Sequence, residues 1–111
     1  MTCASAAPWN AAAVSLICDA IRTRSLLEFD YHGLSRVVAP YCHGVSTRGV
    51  EVLRGVQVRG ASSSGSGGLG FGKLWIVDQL VGLRLSGERF EPDDPHYNPD
   101  DRGMQQIHCR V

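Results

Sequence analysis

The chain has 111 residues, is 43% apolar and 20% charged, and carries eleven Lys/Arg against eleven Asp/Glu. That length suits one domain with one core, and the composition excludes a disordered polymer. Zero net charge excludes a surface that is basic all round, as an indiscriminate nucleic-acid binder needs.

Charge is nonetheless uneven. Residues 1–87 hold eight Lys/Arg and five Asp/Glu, whereas 88–111 hold three and six. Lys73 is the only lysine, so the basic residues are almost all arginines, the side chain best suited to planar recognition of phosphate or carboxylate. Arginine codons of a GC-rich genome would give the same usage. Cys3, Cys18, Cys42 and Cys109 form no CxxC pair. The N-terminus lacks a positive leader region, and the apolar run Ala11 to Cys18 is interrupted by Ser15 and too short for a bilayer. A cytoplasmic protein with four reduced thiols, no membrane segment and no export signal is expected.

In chain order, a helix is predicted over about 9–24, with Trp9 at its entrance and Val14, Ile17, Cys18 and Ile21 on one face. The period then changes to two, since Leu27, Phe29 and Tyr31 alternate with Glu28 and Asp30 as in a half-buried strand. His32-Gly33 suits a hairpin turn. Arg36 to Tyr41 reads as the partner strand, with Pro40 marking an edge or an end. Val50, Val52, Val56 and Val58 share one parity across a long third strand, with Arg54 at the same parity. The Gly/Ser tract over 60–72 reads as a flexible hairpin loop. Phe71 to Val77 returns as a strand, a short amphipathic piece runs to Leu85, and Glu91 to Arg102 is too polar and broken by proline for regular structure. Ile107, Cys109 and Val111 alternate with polar residues and predict a closing strand. One helix and about five strands, as a single domain over 1–111, suit a mainly β fold, a small barrel over about 25–111.

Catalytic and cofactor motifs do not stand up. Gly65-Ser66-Gly67-Gly68-Leu69-Gly70 fits G-x-G-x-x-G but leads into a strand, whereas a dinucleotide site needs it to open a helix. Cys42-His43 and His108-Cys109 invite a zinc centre, yet neighbours on a strand point to opposite sides, so at most one of each pair could face a common point. The serines lack a nucleophile elbow, and the acidic run Asp93 to Asp101 lacks a calcium-loop pattern. No enzyme, metal or cofactor is expected.

Tyr31, a turn, then Arg36-Val37-Val38-Ala39-Pro40 resembles the opening of WYL-type domains, Sm/SH3-like barrels that serve as regulatory ligand sensors in bacteria and phages. The signature strand of that family falls on Glu51-Val52-Leu53-Arg54-Gly55-Val56, where Leu53 and Gly55 agree. Its later basic-aromatic stretch falls on Lys73-Leu74-Trp75-Ile76-Val77-Asp78-Gln79-Leu80, with Asp78 retained, and Phe90 follows where the family often has phenylalanine. The resemblance implies a stand-alone sensing module that binds single-stranded nucleic acid or a nucleotide-like ligand through Tyr31, Arg36, Arg54 and Lys73, with His32, Tyr41 and Trp75 as neighbours. Arginine and lysine would bond phosphate, and aromatic faces would stack on bases. A plainer reading stands beside it: Tyr31 and Trp75 as core, and Arg36 paired with Glu28 or Asp30 across the hairpin. The alternative function is a protein-interaction or homo-oligomerisation adaptor using barrel edges, the third strand among them, and the acidic 91–101 segment.

Overall fold

The computed structural model describes residues 11–60, 70–95 and 97–111, without the side chains of 11–14 and 70–72. The expected helix entrance at Trp9 and most of the Gly/Ser tract lie outside the described residues. The chain is mainly β: the described residues form one helix and six antiparallel strands in a single sheet, a small barrel-like domain.

Helix α1 (Ala11–Thr23) buries Ile17, Ala20 and Ile21, the face that the 3.6-residue period marks. It stops because Arg24 takes a left-handed conformation (φ 58°), and its N–H and guanidinium both bond the Ile21 carbonyl. Strand β1 (Ser25–Tyr31) follows at once. Leu27, Phe29 and Tyr31 point into the core, as their alternation predicts. His32 and Gly33, with φ of 52° and 79°, make the two-residue turn into β2 (Leu34–Ser46).

Strand β2 is 13 residues long and organises the sheet. Strand β3 (Glu51–Gly60) pairs with it along one side, while the other side is shared by β1 as far as Val38 and by β6 (Met104–Arg110) from Cys42 onward. Pro40 therefore marks neither an edge nor an end. It lies buried mid-strand, where one neighbour has given way to the next and a register shift interrupts the other side, so its missing N–H costs little. Gly55 opposite it is required by close approach, because a Cβ there would collide with the Ala39 carbonyl oxygen.

Strand β4 (Gly70–Ile76) pairs with β3, so the hairpin loop is shorter than 60–72. A 3-10 turn over Val77–Gln79 then leads to β5 (Val81–Arg89), which pairs with β1. The stretch read as a short amphipathic piece is thus a sixth strand. The third strand is no edge either, since the order is β4-β3-β2-β1-β5. Its valine parity is buried only in part: Val52 is buried and Val56 half-buried, Val58 and the preceding Val50 are exposed, and Glu51, Leu53, Gly55 and Gln57 of the other parity are buried.

The main core joins Ile17, Ala20 and Ile21 to Leu27, Phe29, Tyr31, Val38, Leu53, Trp75 and Val77. A second cluster of Leu26, Ala39 and Tyr41 is covered by Phe90, Tyr97 and Val111. No described helix is long and apolar enough to cross a membrane.

Candidate functional site

The hairpin places Arg36 beside Tyr31. Arg36 is 3% exposed, its guanidinium carbon lies 5.4 Å from the Tyr31 ring centroid, and Nη2 donates to the Tyr31 carbonyl oxygen at 3.2 Å. It does not pair across the hairpin. Glu28 accepts from Arg84 Nε at 3.0 Å, and Asp30 accepts from the Ser35 hydroxyl at 2.9 Å. Among the described residues Arg36 has no ion pair, and its Nε has no hydrogen-bond partner. A buried cation without a counter-ion is costly unless something else supplies the charge.

Beside Arg36 lies a groove of about 230 Å³, with Arg59, Arg84, Ser35 and Glu28 in its lining. Arg59 and Arg84 are held by Glu88 and Glu28, but their side chains are 54% and 57% exposed. Such surface pairs are worth about 0–1 kcal/mol, so either arginine can turn to an incoming anion. Neither was singled out in the sequence, where both look like ordinary surface charges.

The other candidates scatter. His32 stacks on Tyr31 at 4.3 Å and bonds Gln79, so it joins Tyr31 and Arg36. Tyr31 itself is largely core: its hydroxyl accepts the Ile76 N–H, and its ring meets Phe29 edge-on. Trp75 is 1% exposed inside the main core. Tyr41 belongs to the second cluster, where its hydroxyl accepts the Asp94 N–H. Lys73 is half-buried on β4 opposite Gly55 and is absent from the lining of the Arg36 groove.

Arg54 is claimed by a structural partner, with Nε and Nη2 bonding the two Asp101 oxygens at 2.6 and 2.9 Å. Burial acts to raise the Asp101 pKa, but the Arg54 hydrogen bond, the Gly103 N–H and the Arg54 charge outweigh it and hold the carboxyl below its ordinary value. A depressed carboxyl stabilises the fold above its unfolded pKa, and that contribution disappears as pH falls through the folded value. Asp101→Asn is expected to cost about 2–3 kcal/mol at neutral pH and to flatten the acid limb of stability below about pH 4. Urea midpoints from pH 2 to 7 check both. A parallel pair of curves would overturn the assignment.

A second buried polar cluster lies where α1, β2 and β6 meet. Cys18 and Cys109 are joined in a disulfide, so the expectation of four reduced thiols fails for these two. His43 is fully buried, with Nδ1 3.7 Å from the Cys18 sulfur and 3.8 Å from that of Cys109. Its Nε2 lies 3.1 Å from Glu51 Oε2, short of hydrogen-bond alignment, while His108 Nε2 bonds Glu51 Oε1 at 3.3 Å. Burial, reinforced by the charge of His108, brings the His43 pKa down to about 4, so its ring is neutral at ordinary pH. Burial pushes the Glu51 carboxyl upward, against the opposing pull of His108. Cys42 faces away, packed with Val52 and Met104, and burial together with the Asp101 charge raises its thiol to about 11. It is an inert thiol.

In comparisons with known proteins, no family model, no curated protein and no solved structure matches the chain.

Proposed function

We propose that this chain is a WYL-like regulatory module that binds a phosphate-bearing ligand, single-stranded nucleic acid or a nucleotide, in the groove beside Arg36. One observation carries this reading: a buried arginine, stacked on Tyr31, keeps an unsatisfied Nε and lacks a protein counter-ion among the described residues. A phosphate oxygen supplies both the charge and the acceptor. Arg59 and Arg84 would close on the same anion, and His32 offers a neighbouring ring for a base. The cytoplasm, in bacteria or their phages, is the setting that goes with this reading.

Anisotropy titrations with labelled single-stranded oligonucleotides and nucleotides test it. Wild-type protein is expected to bind saturably and more weakly as salt rises. Arg36→Ala, checked for folding by circular dichroism, is expected to lose about 10-fold or more in affinity, the value of a charge-assisted bond. No saturable signal, or unchanged affinity in the variant, would overturn the proposal.

A second reading, an edge-to-edge adaptor, is favoured by β5. This strand ends the sheet order and leaves Val81 62% and Leu85 44% exposed. Light scattering over a concentration series that shows only monomer counts against it.

A further inference from the structure

The buried cluster at the helix–sheet junction plays no part in the Arg36 groove, and it has the chemistry of a metal centre. Cys18 comes from α1, and His43 and Cys109 are register partners on β2 and β6. Their three donor atoms lie within 4.8 Å of one another. Zinc–sulfur and zinc–nitrogen bonds of about 2.3 and 2.0–2.1 Å at tetrahedral angles place sulfur and nitrogen about 3.6 Å apart. The observed 3.7 and 3.8 Å are already close to that. Only the two sulfurs would have to separate, by turning their side chains.

His43 supplies the second observation. Its Nε2 lies 3.1 Å from Glu51 Oε2, and its Nδ1 faces the two sulfurs at 3.7 and 3.8 Å, so the tautomer with its proton on Nε2 turns the Nδ1 lone pair toward them. In its present alignment Nε2 has no hydrogen-bond partner among the described residues, so this fully buried ring is engaged only through the contacts of Nδ1 with the sulfurs. Carboxylate behind imidazole, with the free nitrogen toward two sulfurs, is how proteins orient and strengthen a histidine ligand. A cleft of about 400 Å³ reaches Cys18 and Cys109 from outside, lined in part by Arg22, Arg24 and Arg110. It gives an ion a way in and leaves room for a fourth ligand, water or a small anion. Two thiolates and one imidazole with an open position form a donor set for zinc-class ions rather than for magnesium or calcium.

We propose that Cys18, His43 and Cys109 bind one thiophilic divalent cation when their disulfide is reduced, so that bond and metal are alternative closures of the same junction. The steps balance. A dithiol gives two electrons and two protons to the Cys18–Cys109 bond and becomes a disulfide itself. The cation then replaces the two thiol protons, which go to solvent.

The full chain is reduced with a non-chelating phosphine under anaerobic conditions and titrated with Co²⁺ alone. The expected result is a thiolate-to-cobalt charge-transfer band with intense tetrahedral visible bands, saturating at one equivalent and displaced by Zn²⁺. Unreduced protein should give none. Cys18→Ser and Cys109→Ser should lose the bands, and Cys42→Ser should keep them. Glu51→Gln should weaken binding by about 10–100-fold, as removal of a ligand's orienting partner does. Circular dichroism on the same samples separates binding from folding: cobalt-dependent recovery of a reduced, unfolded chain supports the site. Reduced protein that gives no tetrahedral bands, folded or not, overturns it. So does His43→Gln binding cobalt as tightly as the parent.

Discussion

Cys18→Ala, or reduction of the disulfide in the parent chain, is expected to cost the fold about 4–5 kcal/mol in the absence of metal. The figure comes from the chain, not from the bond. Cys18 and Cys109 are 91 residues apart, so the link closes nearly the whole protein into one loop and removes much of the freedom of the unfolded state. Domains of this size are stable by only about 5–15 kcal/mol, so the reduced form sits near the margin. Urea unfolding with and without phosphine measures the loss as a lower midpoint. The slope should steepen at the same time, because an unlinked chain exposes more surface when it unfolds. An unchanged midpoint would mean that the cross-link contributes nothing. A cation on the reduced site at a hundred times its Kd would return about 2.7 kcal/mol, part of the loss and no more. The helix depends on this most directly, because Cys18 is its covalent tie to β6.

How much of this was readable from residues alone varied with the range of the interaction. Strand β1 and its turn are local matters, and the alternation Leu27, Phe29, Tyr31 followed by His32-Gly33 declared them. Strand β5 was illegible because nearly all of it is exposed, so no alternation marks an inner face. The valine stripe of β3 told half the story: Val52 is buried, but the other parity buries Glu51 and Gln57 too, polar residues that no apolar pattern marks, and Glu51 is bonded by His108 from β6. Tyr31 and Arg36 do meet, because a two-residue turn fixes their register. Arg54 does not join them, since its neighbour Asp101 arrives from 47 residues away. The cysteine–histidine cluster was half legible. Strand parity allows one member each of Cys42-His43 and His108-Cys109 to face a common point, and His43 and Cys109 do so. The third member comes from a helix, and no spacing rule announces where a helix docks.

Trp75 is where core and ligand readings differ most in expected effect. Trp75→Ala is expected to destabilise the protein by about 3–5 kcal/mol, lowering the melting temperature by on the order of 20 °C. The ring is 1% exposed and meets Phe29 edge-on at 5.9 Å, so its removal empties the centre of the cluster that joins α1 to the sheet. Had Trp75 been a stacking platform for a base, alanine would instead cost about 1–3 kcal/mol of binding and little stability. The two quantities can be measured on one variant. Thermal unfolding reads the first, and titration of the folded fraction at low temperature reads the second. A large stability loss with unchanged affinity per folded molecule fixes Trp75 as core and confines any ligand contact to the Arg36 side of the hairpin. Retained stability with lost affinity would overturn both the packing described for Trp75 and the placement of the groove. Trp75→Phe sharpens the comparison, because it keeps an aromatic ring for a base while still underfilling the core. On the packing reading it remains measurably less stable than the parent.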